Sequence, residues 1–193
     1  MSSTDYFKHR LRKLLANREK RQIGETRLTA SAVLIPIYED NGEYHLLFTR
    51  RSNSVESHKG DFTFPGGKRD NCDENLLATA LRESFEEIGL DPQDTEVLGE
   101  FDDEQTLTSK FVIAPFVAFI PYPYEFRINP YEVQEIIGVP LSALKDENNL
   151  QVKLVTRGQK TFNDCTYNYQ GNIIWGATAR IVNNLVKLIS SGE

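Results

Sequence analysis

Residues 64–90, FPGGKRDNCDENLLATALRESFEEIGL, constrain this chain more than any other stretch, because a glycine pair and a lone glycine bracket a segment of helical periodicity. Leu77, Ala80, Leu81, Ser84 and Ile88 recur at helical spacing and form a small, largely apolar face suited to packing on a sheet. Asp73 or Asn75 is placed to cap the helix, and Gly89 to stop it in a left-handed turn. On the other side, Glu83, Glu86 and Glu87 stand at i, i+3 and i+4, so the spacing predicts three carboxylates projecting from one face. Side by side they repel, by roughly 0.2–0.5 kcal/mol per pair. A divalent cation reverses that sign, since Mg²⁺ takes hard oxygen ligands, usually a few carboxylates with water and substrate phosphate. Spacing alone fits a solvated acidic helix better. The glycine pair just upstream shifts the reading toward a metal, because residues without a Cβ let the backbone approach the helix and turn a carbonyl inward. Arg82, flanking the acidic face, can fix a carboxylate by a bidentate pair.

Strand-like patterns surround this helix. RLTASAVLIPIYE from Arg27, the turn EDNG at 39–42 and EYHLLFTR after it predict a β-hairpin. Residues 52–61 are polar and loop-like, and a short strand at 62–64 runs into the turn Pro65-Gly66-Gly67. Further strands are predicted at 95–106 and 110–120, a strand leading into a short helix at 141–145, a hairpin over 152–156 and 161–169, and a closing amphipathic helix at 174–189. Strands on both sides of one inner helix predict a mixed α/β sandwich rather than a doubly wound sheet.

The chain begins differently. Residues 5–21 place Phe7, Leu11, Leu14 and Leu15 at helical spacing among basic side chains, predicting an amphipathic helix that docks on the body or meets its counterpart in a homodimer. Residues 1–27 hold eight Lys/Arg against three Asp/Glu, whereas the rest of the chain holds 14 against 25. Such an acidic body argues against a nucleic-acid partner, and no apolar run approaches the roughly 18–20 residues of a membrane span. With 193 residues, one domain over 27–193 preceded by the basic helix of 1–26 is expected. Cys72 and Cys165 stand far apart without metal or redox spacing and no signal peptide is evident, so a cytoplasmic location is expected.

Gly67, followed by Arg82-Glu83-x-x-Glu86-Glu87-x-Gly89-Leu90, resembles the signature of the Nudix hydrolases, which cleave nucleoside diphosphates linked to another group. That signature reads Gly, five residues, Glu, seven residues, Arg-Glu; here it is one residue longer, so Asp73 satisfies the first spacing and Glu74 the second. The lengthened form, with Gly66-Gly67-Lys68-Arg69-Asp70 and Asp73, resembles the coenzyme A diphosphatase branch. The upstream motif of that branch is matched by Leu46-Leu47-Phe48-Thr49-Arg50-Arg51-Ser52, Gly60 and Phe64-Pro65-Gly66-Gly67, except that Glu56 stands where the motif has Arg. Asn129-Pro130-x-Glu132-Val133, Val139-Pro140-Leu141 and Ile174-Trp175-Gly176-Ala177-Thr178-Ala179 also resemble it.

The resemblance implies an α/β/α sandwich with a central mixed sheet and an N-terminal helical extension. It implies Mg²⁺ or Mn²⁺ held by Glu83, Glu86, Glu87 and the Gly66 carbonyl, with Arg82 orienting the glutamates. The general base is then Glu83, Glu132 or Glu135. Arg50 and Arg51 are placed to clamp phosphates, with Lys59 and Lys68 as further candidates. Phe111 or Tyr131 could stack a base, although a lone aromatic is more often core; Trp175 and Thr178 are expected to pack the last helix. The implied substrate is a small nucleotide derivative, foremost CoA or acyl-CoA. Glu56 keeps ADP-ribose, dinucleoside polyphosphates and nucleotide sugars open, because a carboxylate near a phosphate-rich ligand repels it. A ligand-sensing domain without turnover would be expected to have a broken box, and all the carboxylates and Arg82 are present.

Overall fold

The computed structural model describes residues 2–24, 27–52, 60–107, 109–157 and 160–191. In chain order the main elements are α1 (Ser3–Ala16), β1 (Thr29–Asp40), β2 (Glu43–Arg51), β3 (Phe62–Thr63), β4 (Gly66–Lys68), α2 (Leu76–Ile88), β5 (Glu96–Glu100) and β6 (Glu104–Gln105). They continue as β7 (Phe111–Phe119), β8 (Val133–Pro140), α3 (Leu141–Lys145), β9 (Leu150–Arg157), β10 (Lys160–Tyr169), β11 (Asn172–Trp175) and α4 (Gly176–Ser191).

The apolar run of β1 makes it the central strand: eight consecutive residues are buried, the pattern of a strand covered on both faces. Along it side chains alternate. Ala32 and Leu34 join Ala80, Ile88 and Leu90 under α2, while Val33, Ile35 and Ile37 face the core shared by α1, α4 and β10. The pairing β1–β7 is parallel, and β2, β4, β5, β6 and β8 add antiparallel pairings, giving the expected mixed sheet. A second, three-stranded sheet, β11-β10-β9, and the other helices cover the face away from α2. Asn41 and Gly42, with φ of 51° and 83°, close the β1–β2 hairpin in the left-handed conformation such a tight turn demands.

The basic N-terminus finds its counter-charges inside the molecule. A capping box between Ser2 and Asp5 starts α1, which buries Phe7, Leu11 and Leu15 in the same core as the sheet. Lys8 and Arg12 pair with Glu96, Arg18 with Asp102, and Lys20 with Glu100 and Asp103. Partly exposed pairs contribute about 0–1 kcal/mol each, against about 1.5–3 kcal/mol for each buried large apolar side chain. The apolar stripe therefore docks the helix, and the pairs set its position.

Several boundaries differ from expectation. The first helix ends at Ala16 rather than Arg21, after which Arg18, Lys20 and Arg21 bind the β5–β6 edge. Residues 95–106 form two strands, because Asp102 and Asp103 turn to accept the backbone N–H groups of Arg21 and Ile23. Gly66-Gly67 lies in β4, where Gly67 pairs with Ala32, and not in a turn. Ile174 and Trp175 belong to β11, and the last helix begins only at Gly176, whose φ of 65° breaks the strand. No helix among the described residues is long and apolar enough to cross a membrane.

Candidate functional site

The acidic helix α2 stands as read, but its cap is Asn75, whose side chain accepts from the Ala78 N–H, and its stop is Gly89 at φ 69°. A Cβ on Gly89 would lie 2.8 Å from the Arg127 Cβ, so glycine is required there for space as well as conformation. Asp73 serves a different purpose from capping. Buried beneath the start of the helix, its carboxylate accepts from the Asp70 N–H at 2.8 Å, Thr79 Oγ1 at 2.8 Å, and Arg82 Nε and Nη2 at 2.8 and 2.9 Å. The Arg82 guanidinium holds this carboxyl well below the usual carboxylate range, and Asp73 in turn raises the pKa of Arg82. With one edge fixed by Asp73, Arg82 presents Nη1 to Glu83 Oε1 at 2.9 Å and to Glu86 Oε2 at 3.0 Å.

Three carboxylates converge beside this network, but not the three on the helix. Oxygens of Glu83, Glu87 and Glu132 lie within 4.8 Å of one another. At 100° per residue, Glu87 stands about 40° from Glu83 around the axis, whereas Glu86 stands about 60° away on the other side. Glu86 is accordingly exposed on the Arg82 side. Glu132 arrives from a turn bound to the helix end: the Asn129 N–H donates to the Glu87 carbonyl at 2.9 Å, the Glu132 and Val133 N–H groups to the Asn129 carbonyl, and the Ser52 N–H to the Glu132 carbonyl at 2.8 Å. Glu135, three residues on, pairs instead with Arg50 at 3.0 Å across the β2–β8 register.

The glycine pair brings β4 against the helix. A Cβ on Gly67 would lie 2.4 Å from the Glu83 carboxyl carbon, and one on Gly66 2.3 Å from the Ala32 carbonyl oxygen. The Gly66 N–H donates to Glu87 Oε2 at 3.2 Å. Glu87 is only 3% exposed, and burial pushes its pKa up to about 8, against the Gly66 N–H and the nearby Arg51; Glu83 and Glu132 push the same way as burial. Burial likewise raises Glu83, with Arg82 opposing. Hard oxygens crowded together, one of them buried at the cost of its charge, fit a divalent cation such as Mg²⁺ or Mn²⁺. Glu83 and Glu87 are the residues placed to hold it, with Glu132 and the Gly66 backbone adjoining them.

A pH dependence follows for the metal-free protein. The folded Glu87 keeps its proton up to about pH 8, whereas its ordinary value is 4.5, so between these values the native state binds more protons than the unfolded one. Stability is then highest below 4.5 as far as Glu87 is concerned, and falls as pH rises toward 8. Denaturant titrations in EDTA should show this decline, and saturating Mg²⁺ should flatten it.

Arg51 and Lys68 line a cleft of about 330 Å³ between the main sheet and the β11–α4 corner, bordered also by Gly66 and Gly67. Arg51 Nε is buried with no hydrogen-bond partner among the described residues. Arg50 faces away toward Glu135, with its guanidinium over the Phe62 ring. Phe111 lines the cleft, while Tyr131 is exposed elsewhere. Lys59 and Glu56 lie outside the described residues. Trp175 is not buried against the last helix as expected: it is 44% exposed on the cleft wall, its Nε1–H donating to Asp61 Oδ1 at 3.1 Å. Residue spacing offered Asp73 only as a possible cap and a signature match and Trp175 only as packing, so the brace under Arg82 and the exposed indole are what it missed. An Asp nine positions before an Arg carries no local period, and Trp175 reads as core until its strand is placed.

Comparison with known proteins gives a match to the NUDIX domain over residues 28–158. The uncharacterized Nudix hydrolase NudL of Photorhabdus laumondii is 35% identical over 159 residues, covering 82% of this chain and 84% of its own. The mouse peroxisomal coenzyme A diphosphatase NUDT7 is 35% identical over 136 residues, covering 68% of this chain but 55% of its own. Among solved structures, a MutT/nudix family protein from Enterococcus faecalis has a TM-score of 0.55 at 13% identity, covering 99% of this chain and 74% of its own. The MutT protein of Methanosarcina mazei has a TM-score of 0.53 at 19% identity, covering 90% and 96%.

Proposed function

The chain belongs to the NUDIX family and is a pyrophosphohydrolase, and on that premise we propose that it hydrolyses CoA or acyl-CoA to 3',5'-ADP and (acyl-)4'-phosphopantetheine. The observation that carries the substrate assignment is the upstream motif, Leu46-Leu47 through Arg50-Arg51-Ser52 to Phe64-Pro65-Gly66-Gly67, whose Arg51, Ser52, Gly66 and Gly67 adjoin Glu83, Glu87 and Glu132. Similarity to the mouse coenzyme A diphosphatase supports it. Water attacks one phosphorus of the pyrophosphate bridge, the bridging P–O bond breaks, and two phosphomonoesters form, the two hydrogens of the water ending as protons on these products or in solvent.

A divalent cation, when bound by Glu83 and Glu87 beside Glu132, supplies the positive charge that the leaving phosphate requires. The protein's own groups do the rest. Arg82, braced by Asp73, holds Glu83 at the rim of the site. Arg51, whose buried Nε lacks a partner among the described residues, is placed to donate to a phosphate oxygen from the cleft side. Glu132 takes the proton from the attacking water, in preference to Glu135, whose carboxylate is committed to Arg50. Glu132→Gln is therefore expected to lower kcat by about 100-fold or more with little change in KM, and Glu135→Gln to leave kcat within a few fold. Equal losses in the two variants would reject Glu132 as the base.

For Arg51→Ala the expected loss in kcat/KM is about 5- to 150-fold, the range for a lost charge-assisted hydrogen bond. An unchanged kcat/KM for every phosphate substrate would remove Arg51 from the site. The substrate assignment is tested by assaying CoA, dephospho-CoA, ADP-ribose and a dinucleoside polyphosphate side by side with Mg²⁺ and identifying products. CoA should be turned over with the highest kcat/KM and give 3',5'-ADP. Hydrolysis of ADP-ribose or the polyphosphate with CoA ignored would support the second reading, which the carboxylate of Glu56 favours: the same scaffold used for another pyrophosphate.

A further inference from the structure

The cleft beside the carboxylates has a second wall, built from β11 and α4, that none of the groups above uses. Trp175 lines it as a residue that is 44% exposed, its ring held across the cleft by the Nε1–H bond to Asp61. Deeper on the same wall sits Arg180, only 8% exposed. Its Nε donates to Glu104 Oε1 at 2.8 Å and its Nη2 to the Gln105 carbonyl at 2.9 Å. Its Nη1 is buried and has no hydrogen-bond partner among the described residues, the Asp164 carboxylate standing off at 4.0 Å. A buried donor is costly to leave unmet, which makes Nη1 a candidate to meet an acceptor on a ligand. Glu104 already balances the guanidinium charge, so the open donor suits a neutral acceptor rather than a phosphate, for which Arg51 and Lys68 line the same cleft. Phe111, Leu107 and Ile113 make the surroundings apolar.

The geometry points to a nucleobase subsite: the base of the substrate stacks on Trp175 while Arg180 Nη1 donates to a ring nitrogen or carbonyl of that base. A cleft of about 330 Å³ is of ligand size. Stacking is tolerant of base identity, and Arg180 adds the directional contact. Both residues lie beyond the 28–158 span that matches the NUDIX domain, Trp175 within the 174–179 segment that resembles the coenzyme A diphosphatase branch, so the subsite is built from the C-terminal elements of the chain. It deepens the pyrophosphatase reading, on which it rests for the presence of a nucleotide, and it holds for CoA and ADP-ribose alike.

Trp175 is the single tryptophan of the chain, so its emission reports on the subsite directly. Full-length protein in EDTA is titrated with AMP, ribose 5-phosphate and 4'-phosphopantetheine. AMP should change the emission saturably, and the two ligands without a base should not. Arg180→Lys should weaken the AMP response by about tenfold. With Mg²⁺ and a nucleotide substrate, Trp175→Ala should raise KM by about tenfold with kcat nearly kept, and Trp175→Phe should restore most of the loss. No response to AMP in the wild-type protein, or an equal response to 4'-phosphopantetheine, would overturn the subsite, whatever the variants do. A saturable AMP response in a protein that ignores CoA would leave the subsite standing and overturn the CoA assignment instead.

Discussion

Glu87→Gln should lose about 100-fold or more in kcat for every pyrophosphate substrate while the metal-free protein stays folded. The two parts of this result have one origin. Glu87 is buried, its burial pushes the pKa to about 8, and Glu83 and Glu132 push it the same way. Glutamine has nearly the same shape, keeps an oxygen for the Gly66 N–H, and carries no charge for the interior to reject. Above about pH 7 the variant should therefore be at least as stable as the wild-type protein in EDTA. It should also gain much less stability from added Mg²⁺, because ligand-linked stabilisation follows affinity. Thermal melts with and without Mg²⁺, run with the kinetics, check both parts; near wild-type turnover in a folded variant would remove Glu87 from the chemistry.

Asp73→Ala is expected to have the largest effect on stability, about 3–5 kcal/mol, the usual cost of removing one member of a buried ion pair. The carboxylate receives four hydrogen bonds, two of them from Arg82. Its loss leaves a guanidinium and the Thr79 hydroxyl without their partner. Arg82 then no longer holds a fixed edge toward Glu83, so kcat should fall even in conditions where the variant is folded. Asp73→Asn, which keeps the shape and an acceptor oxygen, should recover part of the stability. The same pair predicts acid sensitivity. The folded Asp73 is held below its ordinary value of 3.8, so the stability it contributes is complete above that value and is lost as pH falls below it. Asp73→Ala should accordingly show a weaker acid dependence than the wild type in urea titrations between pH 5 and 2.5, a window set by that ordinary value.

Much of the frame is legible in local chemistry. The helical period of 76–88, the Gly89 stop and the Asn41-Gly42 turn are each determined by a few neighbouring residues, and each stands where the pattern places it. Carboxylates on one helix are harder to sort. Glu86 and Glu87 are adjacent in sequence, but the helix turns one toward Arg82 and solvent and the other into the core beneath β4. The third member of the group, Glu132, depends on a turn at 129–133 bonding to the end of α2, a contact between segments some 45 positions apart that no periodicity reports. The same holds for Trp175. An aromatic residue in an apolar run reads as core, and only the pairing of β11 with β10 and the Asp61 bond show that its ring faces a cleft. The basic N-terminus was open to outside partners by charge alone; its salt bridges to Glu96, Glu100, Asp102 and Asp103 exist only because β5 and its following turn lie beside α1.

Manganese binding bears most directly on the proposal that Glu83 and Glu87, beside Glu132, hold the metal of this pyrophosphohydrolase. Free Mn²⁺ is counted by electron paramagnetic resonance during titration of the wild-type protein and of the Glu83→Gln, Glu87→Gln, Glu86→Gln and Glu135→Gln variants. The first two should bind about 10- to 100-fold more weakly than the wild type, and the last two within a few fold of it. Undiminished Mn²⁺ binding by Glu83→Gln and Glu87→Gln, with the loss falling on Glu86→Gln or Glu135→Gln, would contradict it.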